Sequence, residues 1–396
     1  MNTLLKRISV LVAIVIASVF LPIIGELIIS GGIIPDDFFN FPPAMTPHDV
    51  KSPFSLTIFI CIALVCMAIV VFYLFPSLFG FKKITITESD LKKERGKIPI
   101  WFWLGGFLMF GAMFFMWGKF SEPKFITNWT LLPLFWGAII FFDGIVYYRT
   151  NGHSIINERP QTLIAIAVCS VCGWAYFEYL NFFVKENWYY PKGDLISVEQ
   201  FIFYSLLGSS ALLTIAFELY MLLESFPKLA VKYTQGPKLV VSKKVWKIIL
   251  IGSLLIMLLI GIFPDELFFF IWLAPLLVFL AILQILDIWT PFTPIQEYGN
   301  WSPLVLMCLT YLIQGFFHEF WNYFSASHLS NGEIITYNPG FWMYSVPYVN
   351  ILHVFEMPIL GFFGYLPFGL YCWVAWLLFA YMLGLDPKFE NTKEKH

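Results

Sequence analysis

Run after run of roughly eighteen or more apolar residues passes without a charge in this chain, and such runs have one stable home. A lipid bilayer takes helices of about 20 apolar residues, whereas a soluble domain has no core deep enough for many of them. The expected class is therefore all-α, a polytopic integral membrane bundle. Composition agrees where it bears on the point: 59% of the 396 residues are hydrophobic and only 13% are charged. A net charge of −2 gives no sign of a nucleic-acid partner, and none is expected.

The runs lie at about 8–30, 54–80, 100–118, 128–148, 161–184, 198–225, 244–263, 267–288 and 302–325, followed by a longer apolar stretch over 341–385. Lys82, Lys83, Lys92, Lys93, Arg95 and Lys97 fill one connection, and Lys228, Lys232, Lys238, Lys243 and Lys244 another. Basic loops stay on the cytoplasmic side, which puts both there together with Lys6, Arg7 and the N-terminus. The acidic loop with Asp36, Asp37 and Asp49 then falls outside. Lys388, Lys393 and Lys395 make the C-terminal tail cytoplasmic, so the last stretch crosses once after an interfacial or re-entrant piece, giving ten spans in an inner membrane. Eleven spans with an outside tail is the alternative. A first span of about 23 apolar residues without a small-x-small site reads as an anchor rather than a cleaved signal. Cys61, Cys66, Cys169, Cys172, Cys308 and Cys372 all fall in apolar runs, where a thiol packs as a small apolar group.

Comparison of the chain with itself exposes a recurring unit. Glu178-Tyr179-Leu180-Asn181-Phe182-Phe183 and Glu319-Phe320-Trp321-Asn322-Tyr323-Phe324 both read ExxN[FY]F at the end of a span. Each is followed by an aromatic-proline phrase, Trp188-Tyr189-Tyr190-Pro191 in the first and Thr336-Tyr337-Asn338-Pro339 in the second, and then by another acid, Glu218 or Glu356. This order divides the chain into an N-terminal membrane region (1–160), a first repeat (161–227), a basic loop with two helices (228–301), a second repeat (302–385) and a tail (386–396). An even number of spans separates the copies, so they run parallel, related by an axis along the membrane normal.

An acid within a span is turned inward and paired, or carries a proton, and by default marks a functional site. Glu178, Glu218, Glu319 and Glu356 are thus the candidate acid/base groups. Three-residue spacing sets Asn181 and Asn322 on the faces of their glutamates, and Trp188, Tyr190, Tyr337, His318 and His353 complete the candidate substrate-binding set. Pro358 and Pro367 should kink the last span and free the carbonyls of Val354 and Phe363, while Gly361 and Gly364 admit a close neighbour. Four acids and two histidines match the inventory of a di-iron site. Their spacing does not, since His353 precedes Glu356 and His318 adjoins Glu319 instead of following Glu-x-x-His. No metal and no cofactor are expected, and no nucleotide loop, HExxH or nucleophile elbow is present.

Trp188-Tyr189-Tyr190-Pro191 followed by Val198-Glu199-Gln200-Phe201-Ile202-Phe203 resembles the small membrane lycopene cyclase domain, with Gln200 at the family's second acid position. The resemblance implies a helical module in which a membrane carboxyl protonates an isoprenoid double bond without a redox cofactor. Residues 170–370, with Phe355-Glu356-Met357-Pro358 leading into Gly361, Gly364 and Pro367, also resemble bacterial polytopic membrane proteins of no assigned activity. The function expected is binding of, or action on, a lipid or isoprenoid-like apolar molecule. A proton-coupled transporter and a non-catalytic scaffold are the alternatives.

Overall fold

The computed structural model describes residues 3–34, 51–85 and 95–389. Asp36, Asp37, Asp49, Lys92, Lys93, Lys393 and Lys395, which entered the orientation argument, lie outside them. Each of the ten apolar runs contains a helix, the last only in its second half. They form α1 (Thr3–Ile29), α2 (Leu56–Leu74), α3 (Ile100–Trp117), α4 (Leu131–Arg149), α5 (Pro160–Phe183), α6 (Val198–Ser209) continued by α7 (Leu212–Glu224), α8 (Lys243–Ile260), α9 (Phe270–Ile285), α10 (Ser302–Ser325) and α11 (Tyr365–Leu383). Lipid offers no partner to a backbone N–H or C=O, and the helix satisfies both within one segment.

Among the described residues eight helices are long and apolar enough to cross a membrane, with α6 and α7 counted together as Val198–Glu224. Of the remaining two, α8 opens on Lys243, Lys244 and Lys247, and α9 has only 16 residues. The protein is an all-α, multi-pass membrane bundle.

Helix association inside a bilayer rests on close approach rather than on expulsion of water, and glycines mark where it happens. A Cβ on Gly25 of α1 would stand 2.0 Å from the Leu258 carbonyl oxygen of α8, and one on Gly261 would stand 2.4 Å from that of Pro22. The pair α3–α4 meets in the same way, with Gly105 against the backbone of Phe141 at 2.4 Å and Gly137 against that of Met109 at 2.6 Å. At the centre α10 and α11 exchange knobs for holes. Gly315 receives the ring of Tyr365, and Gly369 receives the ring of Tyr311. The segments α6–α7, α10 and α11 are mostly buried, and α2 is almost wholly exposed, showing Ile60, Leu64 and Met67 to the surroundings.

Residues 341–364 correct one expectation. There is no kinked helix at Glu356. The chain between α10 and α11 folds as short hairpins and a 3-10 turn: β2 (Ser327–His328) pairs with β3 (Ile334–Ile335), β5 (His353–Val354) pairs with β6 (Met357–Pro358), and Ile359–Gly364 leads into α11. Positive φ at Tyr348, Leu352 and Phe355 (61°, 54° and 60°) turns the chain three times where a helix would need negative values. Pro367 kinks nothing either. It sits in the first turn of α11, where its missing N–H has no carbonyl to serve.

Candidate functional site

The end of α5 and the loop after it make one polar cluster in an apolar setting. Asn181 donates through Nδ2 to the carbonyl of Trp188 (2.8 Å) and accepts at Oδ1 from the N–H of Asn187 (2.8 Å). This clamp folds the loop back over the helix it has just left, helped by positive φ at Lys185 and Glu186 (54° and 62°). Glu178, one turn earlier on the same face, then receives the indole N–H of Trp188 (3.2 Å) and the hydroxyl of Tyr190 (2.5 Å), both on Oε1.

The end of α10 carries the same device. Asn322 donates to the carbonyl of Trp342 (2.8 Å) and accepts from its N–H (3.1 Å). Glu319 Oε1 accepts from the hydroxyls of Tyr344 (2.6 Å) and Tyr365 (2.8 Å) and from the indole of Trp342 (3.3 Å). The residues that correspond are therefore Trp188-Tyr189-Tyr190 and Trp342-Met343-Tyr344. The phrase around Tyr337 is not the counterpart, and Trp342, Tyr344 and Tyr365 were missed from the sequence. The W-x-Y signal was present, but it stands ten positions after Glu178 and twenty-three after Glu319, because the β2–β3 hairpin is inserted in the second loop.

The two loops join. Strand β1 (Trp188–Tyr189) pairs antiparallel with β4 (Met343–Tyr344), with Trp188 opposite Tyr344 and Tyr189 opposite Met343. In this register the tryptophan of the first phrase faces the tyrosine of the second. The pairing also fixes the C-terminal ends of α5 and α10 on one side of the molecule. Facing residues of an antiparallel pair lie about 4.5–5.5 Å apart at Cα, within disulfide reach. Tyr189→Cys combined with Met343→Cys, in a chain whose exposed Cys61 and Cys172 are replaced by serine, should therefore cross-link nearly to completion under mild oxidation. Peptide mapping by mass spectrometry reads the link, and its absence would sink the register.

Behind the paired loops lies a cavity of about 140 Å³. Its wall is aromatic, with Trp188 and Tyr190 from one phrase, Trp342, Tyr344 and Tyr365 from the other, and Trp174, Trp272, Phe135, Phe201 and Phe368 around them. Neither carboxylate stands in that wall. The tyrosine and tryptophan rings line the space, and the glutamates hold their hydroxyls and indole N–H groups from behind. Burial, and after it the Glu178 carboxyl, pushes the Tyr190 hydroxyl well above its usual pKa range; burial and Glu319 do the same to Tyr344. Both loop tyrosines keep their protons and remain donors to the glutamates. Oε2 of Glu178 and of Glu319 is buried without a hydrogen-bond partner among the described residues.

A second space of about 260 Å³ runs between α5 and α6 along Glu178, Ile202 and Leu206. It shares Trp174, Ser205 and Ser209 with the central cavity, so the two abut. Ile202 and Leu206 are exposed, so this groove opens sideways on the apolar exterior.

The other candidates divide. His318 lines the cavity, buried beside the rings of Phe135 (4.8 Å) and Trp321 (5.8 Å). Glu218 is fully buried on α7 but away from the cavity, next to Asp143 of α4. Asp143 is itself fully buried and accepts from Trp101 (2.8 Å), Ser154 (3.0 Å) and the N–H of Ile156 (2.9 Å). Glu356 lies in the β5–β6 turn and pairs with His328 at 2.5 Å, so it is not the structural counterpart of Glu218. Exposed His353 bonds Asn350 (3.1 Å), and neither it nor Tyr337 lines the cavity. Among the described residues no three His, Cys, Asp or Glu side chains converge as metal ligands would.

No family model matches the chain, and no curated protein or solved structure is significantly similar to it.

Proposed function

We propose that the protein binds an elongated apolar molecule, of lipid or isoprenoid type, in the aromatic cavity between two copies of one helix-loop unit. The observation that carries this reading is the sideways opening: the cavity abuts a groove between α5 and α6 whose rim is exposed apolar side chains. A ligand dissolved in the membrane reaches the cavity by that route without passing through water. Aromatic walls offer a long apolar ligand large contact area at little loss of conformational freedom.

The two units are read as a duplication whose copies run parallel about an axis through the β1–β4 pair, with Glu178 and Glu319 as positioning groups for Tyr190, Tyr344 and Tyr365. Their buried Oε2 atoms keep acid/base chemistry open to these glutamates. Binding is favoured over cyclase-type protonation. Glu199, the acid of the cyclase-like phrase, is exposed at the start of α6, where it bonds Ser197 (2.8 Å). The basic loops support a cytoplasmic N-terminus in an inner membrane.

Transport is the second reading. The buried pair Asp143–Glu218 favours it, since ionisable groups within a bundle mark ion pathways.

The test is mass spectrometry of lipid extracts from protein purified in mild detergent, with the variant Ser205→Trp, which fills the junction of cavity and groove. The wild-type chain should carry a defined apolar molecule at near one per chain, and the variant should retain less than about a tenth of it, taking tenfold as the effect of roughly 1.4 kcal/mol. A wild-type chain that carries nothing, and takes up nothing from mixed lipid micelles, would overturn the proposal.

A further inference from the structure

On α10, Tyr311, Gln314 and His318 stand at spacings of three and four and all line the central cavity. Such spacing puts them on one helix face, rising about 10 Å from first to last. Each is at least nine-tenths buried, with exposures of 1%, 3% and 6%. Each also keeps one polar atom without a hydrogen-bond partner among the described residues: the Tyr311 hydroxyl, Gln314 Oε1 and His318 Nε2. Lipid-facing polar atoms could be explained as mobile surface groups. These three are enclosed by a mostly aromatic and aliphatic wall, in which Ser205 and Ser209 also stand.

The orientation of Gln314 is fixed by the fold. Its Nε2 donates to the carbonyl of Leu212 at 2.7 Å, in the turn between α6 and α7, which leaves Oε1 as the free end. A glutamine has one acceptor and two donors, so the atom presented here only accepts. The imidazole of His318 packs at a tilt against the rings of Phe135 (35°) and Trp321 (47°), with Nε2 bare. Residues four apart on a helix have Cβ atoms roughly 5–6 Å from one another, close enough for one small group to bridge their tips.

We infer that this face of α10 is a subsite for a neutral hydroxyl, so that the ligand is an alcohol-type amphiphile rather than a hydrocarbon or an ionised lipid. The inference rests on the apolar-ligand reading above and names the ligand's polar end. A hydroxyl has one donor and two acceptor lone pairs. It donates to Gln314 Oε1 and accepts from His318 Nε2–H, and Tyr311 stands one turn further for a second polar atom. A carboxylate has no hydrogen for Gln314 Oε1, an ether has none either, and a hydrocarbon leaves both atoms bare. Each buried polar atom left unmatched weakens binding about tenfold or more, which makes this face a selectivity device.

The experiment uses the full chain in detergent micelles and three probes of equal length: bromine-tailed hexadecanol, its methyl ether and bromine-tailed hexadecane. Trp174, Trp188, Trp272 and Trp342 line the cavity, so bromine entering it quenches tryptophan emission. Hexadecanol should bind at least about tenfold more tightly than either of the others, and Gln314→Met and His318→Phe should each bring the ratio to within about twofold, weakening hexadecanol and tightening hexadecane. Equal affinity of the folded wild-type chain for all three would overturn the subsite and leave the apolar cavity standing. No quenching by any probe would overturn both readings. The wild-type comparison of alcohol with ether decides the matter even if a variant fails to fold.

Discussion

Glu319→Ala should cost the protein about 2–6 kcal/mol of unfolding free energy, because each of two buried donors left without its acceptor costs roughly 1–3 kcal/mol. Three donors converge on Glu319 Oε1, the hydroxyls of Tyr344 (2.6 Å) and Tyr365 (2.8 Å) and the indole of Trp342 (3.3 Å), and the indole has a second acceptor in the Tyr344 hydroxyl (3.0 Å), so two donors are orphaned when the carboxylate is removed. The three come from separate places, two from the β4 loop and one from the first turn of α11, so the carboxylate ties a loop to a helix. Losing it should loosen both. Glu319→Gln keeps one oxygen for the donors and should fold with less than half the penalty of the alanine. Denaturation in mixed micelles, followed by tryptophan emission, gives the values. A penalty for Glu319→Ala below about 1 kcal/mol would mean that the donors find other partners.

Gly315→Ala should be the most disruptive single methyl addition at the site. A Cβ there would lie 2.3–2.6 Å from three ring atoms of Tyr365, one of them the first ring carbon, so rotation of the ring tip cannot relieve the clash. Overpacking of this kind costs about 1–3 kcal/mol. The displaced ring should also withdraw its hydroxyl from Glu319, now 2.8 Å away, adding the loss of that hydrogen bond. Because clash and hydrogen bond share one side chain, the two changes are coupled. In a Tyr365→Leu background, Gly315→Ala should cost less than half of its wild-type value. Equal costs in the two backgrounds would show that the alanine strains the helix rather than the ring.

The glutamate and asparagine of each unit were legible because their three-residue spacing on a helix is a local property, and so was the direction in which they face. Their partners were only half legible. Trp188 and Tyr190 follow Glu178 closely, within reach of a turn, and the sequence phrase found them. Trp342 and Tyr344 are separated from Glu319 by an inserted hairpin, and Tyr365 belongs to another helix altogether. Glu356 shows the opposite failure. Its apolar flanks suggested a buried helix, while three residues with positive φ put it in a hairpin beside His328. Asp143 is set against Glu218 only by the packing of α4 on α7, a contact with no local signal in the sequence.

The sequence by itself determined the class of the molecule and the course of its helices, because lipid denies the backbone any partner and an uncharged apolar run can then only be helical. It also placed Glu178, Glu218 and Glu319 on helices, since hydropathy fixes depth along a helix, but it put Glu356 on one where the chain forms a hairpin. What stands opposite each carboxylate was decided by the tertiary structure alone: the pairing of Trp188-Tyr189 with Met343-Tyr344, the cavity behind it, and the bare atoms of Gln314 and His318 facing that cavity. The reason is physical. Depth in the membrane follows from each residue's own neighbours in sequence, but contact across the bundle depends on helix rotation and loop length, which are set by where glycines let helices touch.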